Sequence, residues 1–284
     1  MQLGELLDLD RYPIHEPASA AYVAVLNEAR NELRRDGCAV VKDLLRPAAV
    51  RWINDEIVAR KHTTHYSTQR INPYFHVEAN ADYPVRHPVN TFIERSSGFI
   101  PGDSWEPDTA TSMLFHSPEL ARFVADCLEE PALYCYADPL AGLTANILEP
   151  GQQFAWHFDT NDFAVTVLVD EADEGGLFEY APLIRNADDE NFDTIQQILE
   201  GSSEGVHTLD LCAGDMQIFR GRYSLHRVTR VPEGSSPRHA AIFAYTQEPG
   251  VIGRLERTRQ LFGRVLPEHE AAELARVRSD ELID

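Results

Sequence analysis

The alternation of apolar and polar residues predicts that the N-terminal half of the chain is largely helical. In Ala18 to Arg35, apolar residues recur at spacings of three and four, the period of one helix face. The apolar run Cys38 to Val41 predicts a short strand, and Pro47 to Arg60 predicts a second helix with proline in its first turn. Ser117 to Glu129 predicts a third helix, because its serine is a good N-cap and the following proline suits the first helical position.

The segment between His62 and Asp108 has no sustained period, because prolines, histidines, tyrosines and asparagines interrupt the apolar positions. An irregular segment of this length inside a compact domain is often functional. We therefore expect a lid or a substrate-recognition region here, with a mobile surface excursion as the alternative.

From Leu143 onward the pattern changes to short runs of β-prone residues separated by glycine, proline and aspartate. Short strands with such turns predict a sandwich or barrel of the jelly-roll type. Ala213-Gly214-Asp215 predicts a hairpin turn between two of the strands, and a helix is expected between Asn186 and Glu204. The predicted strands are Leu143–Leu148, Phe163–Val169, Leu177–Tyr180, Val206–Leu211, Met216–Phe219, Leu225–Val231 and Ala240–Tyr245.

Together these elements predict an α+β fold with a double-stranded β-helix core, jelly-roll and cupin-like, and with flanking N-terminal and C-terminal helices. We expect a single domain in three parts, which its length allows. Residues 1–142 are helical and loop-rich and include the lid, residues 143–250 form the jelly-roll core, and residues 251–284 form a C-terminal helix packed on the outside.

The net charge of the chain argues against a nucleic-acid partner. Its 46 acidic residues outnumber its 25 lysines and arginines, for a net charge of -21. Such a surface repels phosphate backbones, so we expect no nucleic-acid partner. We also expect no membrane partner, because no apolar run is long enough to cross a bilayer. The acidic N-terminus is unlike a secretory signal, which predicts a cytoplasmic location, and the oligomeric state stays open.

The strongest candidate for chemistry is the pair His157 and Asp159 together with the distant His226. In an extended segment, residues two apart point to the same face, so one imidazole and one carboxylate can converge on a cation. A second imidazole from a strand facing the first across the barrel mouth would complete a two-histidine, one-carboxylate site. That ligand set is typical of non-heme Fe(II) oxygenases. The alternative is coincidence, because the chain has 11 histidines.

The order of elements around these residues strengthens the metal hypothesis. A turn and strand at Gly214 to Phe219 precede the segment that bears His226, and an arginine then opens the apolar run Arg238 to Tyr245. From Leu143 to Gln247 the chain resembles the Fe(II)/2-oxoglutarate-dependent oxygenases. Gln69 to Asp108 and the run Trp156 to Asn161 look similar to the group that contains amino-acid hydroxylases and radical halogenases. The signature HxD…H…R corresponds to His157, Asp159, His226 and Arg238.

The resemblance implies Fe(II) as the metal, with 2-oxoglutarate and O2 as co-substrates. It implies that His157, Asp159 and His226 are the catalytic metal ligands. Arg238 would bind the distal carboxylate of 2-oxoglutarate, since a guanidinium matches a carboxylate in a bidentate pair. Arg227 and Arg230 compete for this role, and Thr166 is a candidate hydroxyl donor beside it. Asn146 would contact 2-oxoglutarate or substrate, unless its amide is purely structural.

The carboxylate at position 159 implies the type of reaction. Related halogenases have a small residue here, which leaves a coordination position for chloride. The resemblance therefore implies a hydroxylase that acts on an unactivated C–H bond of a small polar metabolite, such as a free amino acid or a derivative. A cupin-type metalloenzyme that does not use 2-oxoglutarate and a non-catalytic jelly-roll binding protein are the alternatives. The candidate substrate-binding residues are Asn161, Asp162, Arg70 and Tyr74.

Overall fold

The helices lie mainly in the N-terminal half of the protein. The computed structural model describes residues 1–275 and 282–283. Short 3-10 turns occupy Lys61–Thr63, Pro88–Asn90 and Gly102–Ser104. The α-helices are α1 (Leu3–Leu6), α2 (Ala20–Asp36), α3 (Pro47–Arg60), α4 (Ala110–Phe115), α5 (Pro118–Leu128), α6 (Phe192–Leu199), α7 (Leu255–Phe262) and α8 (Pro267–Ala275).

Local signals in the sequence explain the ends of the predicted helices. Ser19 and Ser117 cap α2 and α5 by accepting hydrogen bonds from backbone N–H groups of the first turn. Gly37 ends α2 in the left-handed conformation at φ 63°, and its N–H donates to the Leu33 carbonyl. The helix α3 has the predicted bounds, and α6 lies inside the insert where a helix was expected.

The strands form two main antiparallel sheets. The large sheet has the order β1-β10-β7-β12-β5-β3-β2, the small sheet has the order β6-β11-β8-β9, and β13 pairs with β4. The strands are β1 (Cys38–Val41), β2 (His65–Ile71), β3 (Ile93–Ile100), β4 (Tyr134–Cys135), β5 (Leu143–Leu148), β6 (Phe154–His157), β7 (Ala164–Asp170), β8 (Phe178–Ala181), β9 (His207–Leu209), β10 (Met216–Phe219), β11 (Leu225–Val228), β12 (Arg238–Phe243) and β13 (Tyr245–Thr246).

The main core fills the space between the large sheet and the N-terminal helices. Buried side chains of β5, β7 and β10 pack against those of α2, α3 and α5; examples are Val165, Ile218 and Ile53. The protein is therefore a mixture of helices and antiparallel sheets, as the sequence predicts. The opposite face of the large sheet faces the small sheet, and residues of both sheets line the cavity between them.

The predicted hairpin at Ala213-Gly214-Asp215 is wrong. The strands on either side of this turn belong to different sheets: β9 pairs with β8, whereas β10 pairs with β1 and β7. Gly214 adopts φ 104°, and the Asp215 carboxylate accepts hydrogen bonds from the backbone of Asp43 and Cys212. The turn thus crosses from one sheet to the other, which a local turn signal cannot distinguish from a hairpin.

The irregular region between His62 and Asp108 contains two strands that were not predicted. β2 pairs with β3 along its whole length and forms the edge of the large sheet. The pattern was hidden because the inward positions of β2 include Ser67 and Gln69, which are polar. The loop between these strands remains as the candidate lid.

The C-terminal part contains two helices and does not lie wholly on the outside. The α7 helix packs against β2 and β3, where the Ser67 hydroxyl donates to the Gln260 carbonyl at 3.4 Å and the Phe99 and Phe262 rings are 6.2 Å apart. Residues 276–281 and 284 of the expected C-terminal helix lie outside the described residues. Among the described helices, none has the length and apolar character needed to cross a membrane.

Candidate metal centre

The two histidines of the predicted triad are direct neighbours in the small sheet. His157 ends β6 and is paired in register with His226 on β11, and their ring centroids are 4.0 Å apart. The expectation that the two strands face each other across a barrel mouth is therefore wrong, since antiparallel pairing places the two imidazoles side by side on one face. Both rings are buried.

Backbone hydrogen bonds orient the two rings in the same way. The Nδ1 atom of His157 is 2.8 Å from the Ala155 carbonyl, and that of His226 is 3.0 Å from the Ser224 carbonyl. A carbonyl only accepts, so each Nδ1 carries a proton, and Nε2 is the nitrogen that a metal ion would bind. This arrangement is how proteins orient metal-binding imidazoles.

The Asp159 carboxylate completes the cluster. Its Oδ1 atom lies 3.7 Å from Nε2 of His157 and 3.6 Å from Nε2 of His226, which is too long for hydrogen bonds. The three ligand atoms lie within 4.8 Å of one another. Two imidazoles, one carboxylate and a gap between them fit a divalent transition metal, and the open face fits Fe(II).

A glycine makes room for this carboxylate. The Asp159 N–H donates to the Gly221 carbonyl at 3.1 Å. A Cβ atom built on Gly221 would lie 1.9 Å from Oδ2 of Asp159 and 2.7 Å from its Cγ. Position 221 therefore supports the carboxylate with bare backbone, and any side chain there would displace it.

The charges at the centre suit metal binding. Burial, and secondly the neighbouring His226, lower the pKa of His157 well below its ordinary value, so this ring is neutral at neutral pH. Burial raises the pKa of Asp159, but the imidazoles of His226 and His157 more than offset that effect and bring the pKa to about 2. The carboxylate is therefore ionised while the imidazole is not, as metal ligation requires.

One side of the triad opens into an inner cavity of about 100 Å³. Arg238, at the start of β12, lines this cavity together with Thr166 and Asn146, so the structure brings together all three predicted 2-oxoglutarate contacts. Arg238 is buried, and burial lowers its pKa to about 10. Among the described residues, no hydrogen bond or ion pair reaches its guanidinium. Glu171 acts on this cation only through its field. A buried cation that no described carboxylate contacts calls for an anionic ligand.

The competing arginines are engaged elsewhere. Arg227 pairs with Glu179 at 2.6 Å and lies over the Trp156 ring. Arg230 is half-exposed and pairs with Glu94 at 3.3 Å. Neither lines the inner cavity.

The other side of the triad opens into an outer cavity of about 160 Å³. His157 and Asp159 line both cavities, so the candidate metal position lies on the boundary between them. The outer walls come from the loop after β2, from β5 and β12, and from α7. One cavity thus holds the unpaired Arg238, and the other is available for a second molecule.

The predicted substrate residues divide into two groups. Asn161 lines the outer cavity. Asp162 lies outside that lining and is 3.6 Å from Arg222. Arg70 is exposed on β2 and donates to the Phe92 carbonyl, and Tyr74 is buried behind the site, where it stacks on Phe158. These positions argue against substrate contacts for Arg70 and Tyr74, because neither side chain borders a cavity next to the triad.

Sequence reasoning missed Arg257. Its Nη2 atom donates to the Phe158 carbonyl at 3.2 Å and to the Thr160 hydroxyl at 3.3 Å, and it lines the outer cavity beside the triad. The segment around it reads as an ordinary charged helix, so no local signal marks Arg257. Gly221 was missed as well, since its flanking sequence Arg-Gly-Arg carries no motif.

A family comparison agrees with this geometry. The family model described as "HalD: Halogenase D" matches residues 22–251, which include all three triad residues and Arg238. This chain belongs to the halogenase D family. The predicted relation to Fe(II)/2-oxoglutarate-dependent oxygenases is confirmed, as is the narrower similarity to radical halogenases. The matched segment contains the three residues whose ligand atoms could hold one metal ion.

Solved structures support a shared fold. A 2OG-Fe(II) oxygenase family oxidoreductase from Burkholderia pseudomallei is 12% identical, with a TM-score of 0.53 over 80% of this halogenase D family member and 92% of that chain. AviO1 from Streptomyces viridochromogenes Tue57 is 17% identical, with a TM-score of 0.52 over 82% and 98% of the two chains. No protein with a curated function is similar in sequence to this chain.

Proposed function

We propose that the protein is a hydroxylase that replaces hydrogen by hydroxyl at an unactivated C–H bond of a small molecule, a free amino acid or a derivative. The two main sheets would form the jelly-roll core of a single oxygenase domain with flanking helices. A small-molecule substrate suits the modest cavity beside the triad, and the acidic composition supports the expectation that the protein has no nucleic-acid partner.

The observation that carries the proposal is the position of Asp159. Its carboxylate lies between the two Nε2 atoms, at 3.6–3.7 Å from each, and bare backbone at Gly221 accommodates it. A residue without a ligand atom at this position would leave a place for a halide. Here the protein itself fills that place, which favours transfer of hydroxyl.

Each residue has a defined task under this proposal. His157, Asp159 and His226 would hold Fe(II), and Arg238 would bind the distal carboxylate of 2-oxoglutarate in the inner cavity, with Thr166 and Asn146 beside it. Bound together with 2-oxoglutarate and O2, Fe(II) supplies the one-electron chemistry that removes hydrogen from carbon and returns hydroxyl. The surrounding apolar walls would exclude water from the oxidant and hold the reacting carbon near it.

Halogenation is the second candidate, because the matching family is described as halogenase D. The two reactions give different products from the same assay. Purified protein with Fe(II), 2-oxoglutarate and chloride is incubated with a panel of amino acids, and released succinate and product mass are measured. We expect a gain of one oxygen atom, and a product with chlorine in place of hydrogen would refute hydroxylation.

The variant Asp159→Gly tests whether the Asp159 carboxylate is the third metal ligand. It removes the third ligand and opens its position, so we expect hydroxylation to fall by at least about 100-fold, the order of loss when groups that order a metal site are removed. Fe(II) affinity should fall in parallel. If Asp159→Gly hydroxylates as well as the wild type does, Asp159 is not a ligand.

A further inference from the structure

The outer cavity combines an apolar wall with a cationic corner. Its apolar lining is mainly aromatic, and its cations are Arg254 and Arg257. Among the described residues that line it, Asp159 is the sole carboxylate, and that carboxylate is already committed to the metal position. The apolar wall includes Phe75, Phe99, Phe154, Phe163, Leu261 and Phe262.

Arg257 is rigidly placed at this corner. It donates to the Phe158 carbonyl and the Thr160 hydroxyl, which flank Asp159 in sequence, and its guanidinium lies over the Phe75 ring at 3.0 Å from the centroid. Its field also contributes to the low pKa values of His157 and Asp159. A cation held this close to the triad can bind an anionic group of a molecule whose remainder lies near the metal.

The size of the cavity limits the remainder of that molecule. A dry cavity of about 150 Å³ lined by apolar side chains accepts a ligand the size of benzene. The outer cavity has about 160 Å³. A branched aliphatic chain or a single ring therefore fits within this space.

The charges decide which chains are admitted. A basic side chain, such as that of lysine, would bring an ammonium group among aromatic rings and two arginines, and the described lining offers it no free carboxylate. Burying an ammonium group without a counter-ion is strongly unfavourable. A hydrocarbon chain has no such cost and gains the free energy of leaving water.

We propose that the substrate is a small carboxylic acid with an apolar chain or ring, whose carboxylate binds Arg257 and whose hydrocarbon part lies against the aromatic wall. This inference rests on the proposed function and refines it, since it selects acids and amino acids with an apolar side chain over those with a basic one. The α-ammonium group of an amino acid stays beside its own carboxylate, whereas a side-chain ammonium group would lie alone among the aromatic rings. Arg257 is the substrate-binding residue in this arrangement, and Arg238 on the other side of the triad serves 2-oxoglutarate.

The test compares two ligands of one skeleton that differ in charge, together with lysine as a basic amino acid. 4-Methylpentanoate, 4-methylpentan-1-amine and lysine are titrated into Fe(II)- and 2-oxoglutarate-loaded protein without oxygen, by calorimetry. We expect the acid to bind at least about tenfold more tightly than the amine, which corresponds to about 1.4 kcal/mol, and more tightly than lysine. Equal or tighter binding of the amine or of lysine would overturn the proposal.

Arg257→Gln tests the assigned cation, with Arg259→Gln as its control on the same helix. Arg259 is exposed and pairs with Glu256. We expect Arg257→Gln to weaken binding of the acid by at least about tenfold, the value of a hydrogen bond to a charged group, without weakening binding of the amine. Arg259→Gln should change neither. If Arg257→Gln instead weakens the binding of 2-oxoglutarate and leaves the binding of the acid unchanged, the anion bound in the outer cavity is the co-substrate and the proposal fails.

A second variant keeps the test decisive if Arg257→Gln folds poorly. Leu261→Glu places a carboxylate in the outer cavity, one helical turn from Arg257. We expect it to reverse the preference between acid and amine, and an unchanged preference would contradict the proposal. These titrations measure binding without turnover, so they test the substrate class alone. A failure of the proposed reaction would be seen separately, as the absence of 2-oxoglutarate-dependent succinate release.

Discussion

Gly221→Ala should remove the iron site while leaving the fold in place. The added methyl group would lie 1.9 Å from Oδ2, 2.7 Å from Cγ and 3.0 Å from Cβ of Asp159. Because three atoms are too close, rotation of the carboxylate alone does not relieve the clash, and Oδ2 must retreat by about 1 Å or more to reach an acceptable separation. Metal–oxygen distances tolerate only about 0.2 Å.

The expected loss can be stated as a free energy. Perturbing groups that hold metal ligands costs about 10- to 100-fold in metal affinity, and we expect the upper end, about 2.7 kcal/mol. At a metal concentration 100 times the wild-type Kd, metal stabilises the wild type by about 2.7 kcal/mol but the variant by only about 0.4 kcal/mol. The backbone at Gly221 is not in the left-handed region, so alanine brings no conformational strain of its own.

The assay is an anaerobic Fe(II) titration combined with thermal unfolding in the presence and absence of metal. Gly4→Ala is the control, because its nearest neighbour, the Leu9 side chain, is at an ordinary 3.5 Å. We expect Gly4→Ala to keep full metal stabilisation. If Gly221→Ala binds Fe(II) as tightly as the wild type, Asp159 does not ligate the metal from the position described, and the reasoning from this contact is refuted.

Three further predictions concern buried charges. Arg238→Ala should weaken the equilibrium binding of 2-oxoglutarate by about 100-fold, since a buried charge pair is lost. Arg230→Ala should leave this binding unchanged, and equal effects of the two variants would refute the assignment of Arg238. Arg95 is fully buried with two unpartnered nitrogens, and burial lowers its pKa to about 10. Arg95→Met should therefore raise the free energy of unfolding at pH 7 by about 1 kcal/mol. A lower free energy of unfolding, measured by chemical denaturation, would contradict this prediction. Burial lowers the pKa of His239, whose Nδ1 contacts Asn54. The neutral ring therefore stabilises the fold above the ordinary histidine pKa near 6.5, and this stabilisation is lost as the pH falls below that value. His239→Gln should flatten the dependence of Tm on pH between about pH 5 and 7, and an unchanged dependence would count against the assignment.

Elements whose buried face is apolar could be read from the sequence. Leu143–Leu148, Met216–Phe219 and Pro47–Arg60 occur with the predicted bounds, because their periodicity reflects the face that each presents to the core. The strand β2 was missed because its inward positions are polar and are covered by α7 and not by the main core. Periodicity reports what is apolar, so a strand that borders a polar cluster leaves little trace.

Short-range spacing determined the candidate ligands. His157 and Asp159 are two residues apart, and chain geometry alone brings them to one side. That His226 joins them was inferred from the order of the strands, but its position as the cross-strand partner of His157 depended on which strands pair, and this is a non-local property. The same applies to the turn at Gly214, whose flanking strands separate into two sheets.

The sequence by itself determined the chemical types available at this site: two imidazoles, one carboxylate and an arginine at the start of an apolar strand. Only the tertiary structure decided that Arg238 is unpaired, that Arg257 from the C-terminal helix reaches the opposite side of the triad, and that Gly221 leaves space for the carboxylate. The physical reason is that covalent spacing restricts residues only a few positions apart. Burial, pairing and free space arise when distant segments pack together.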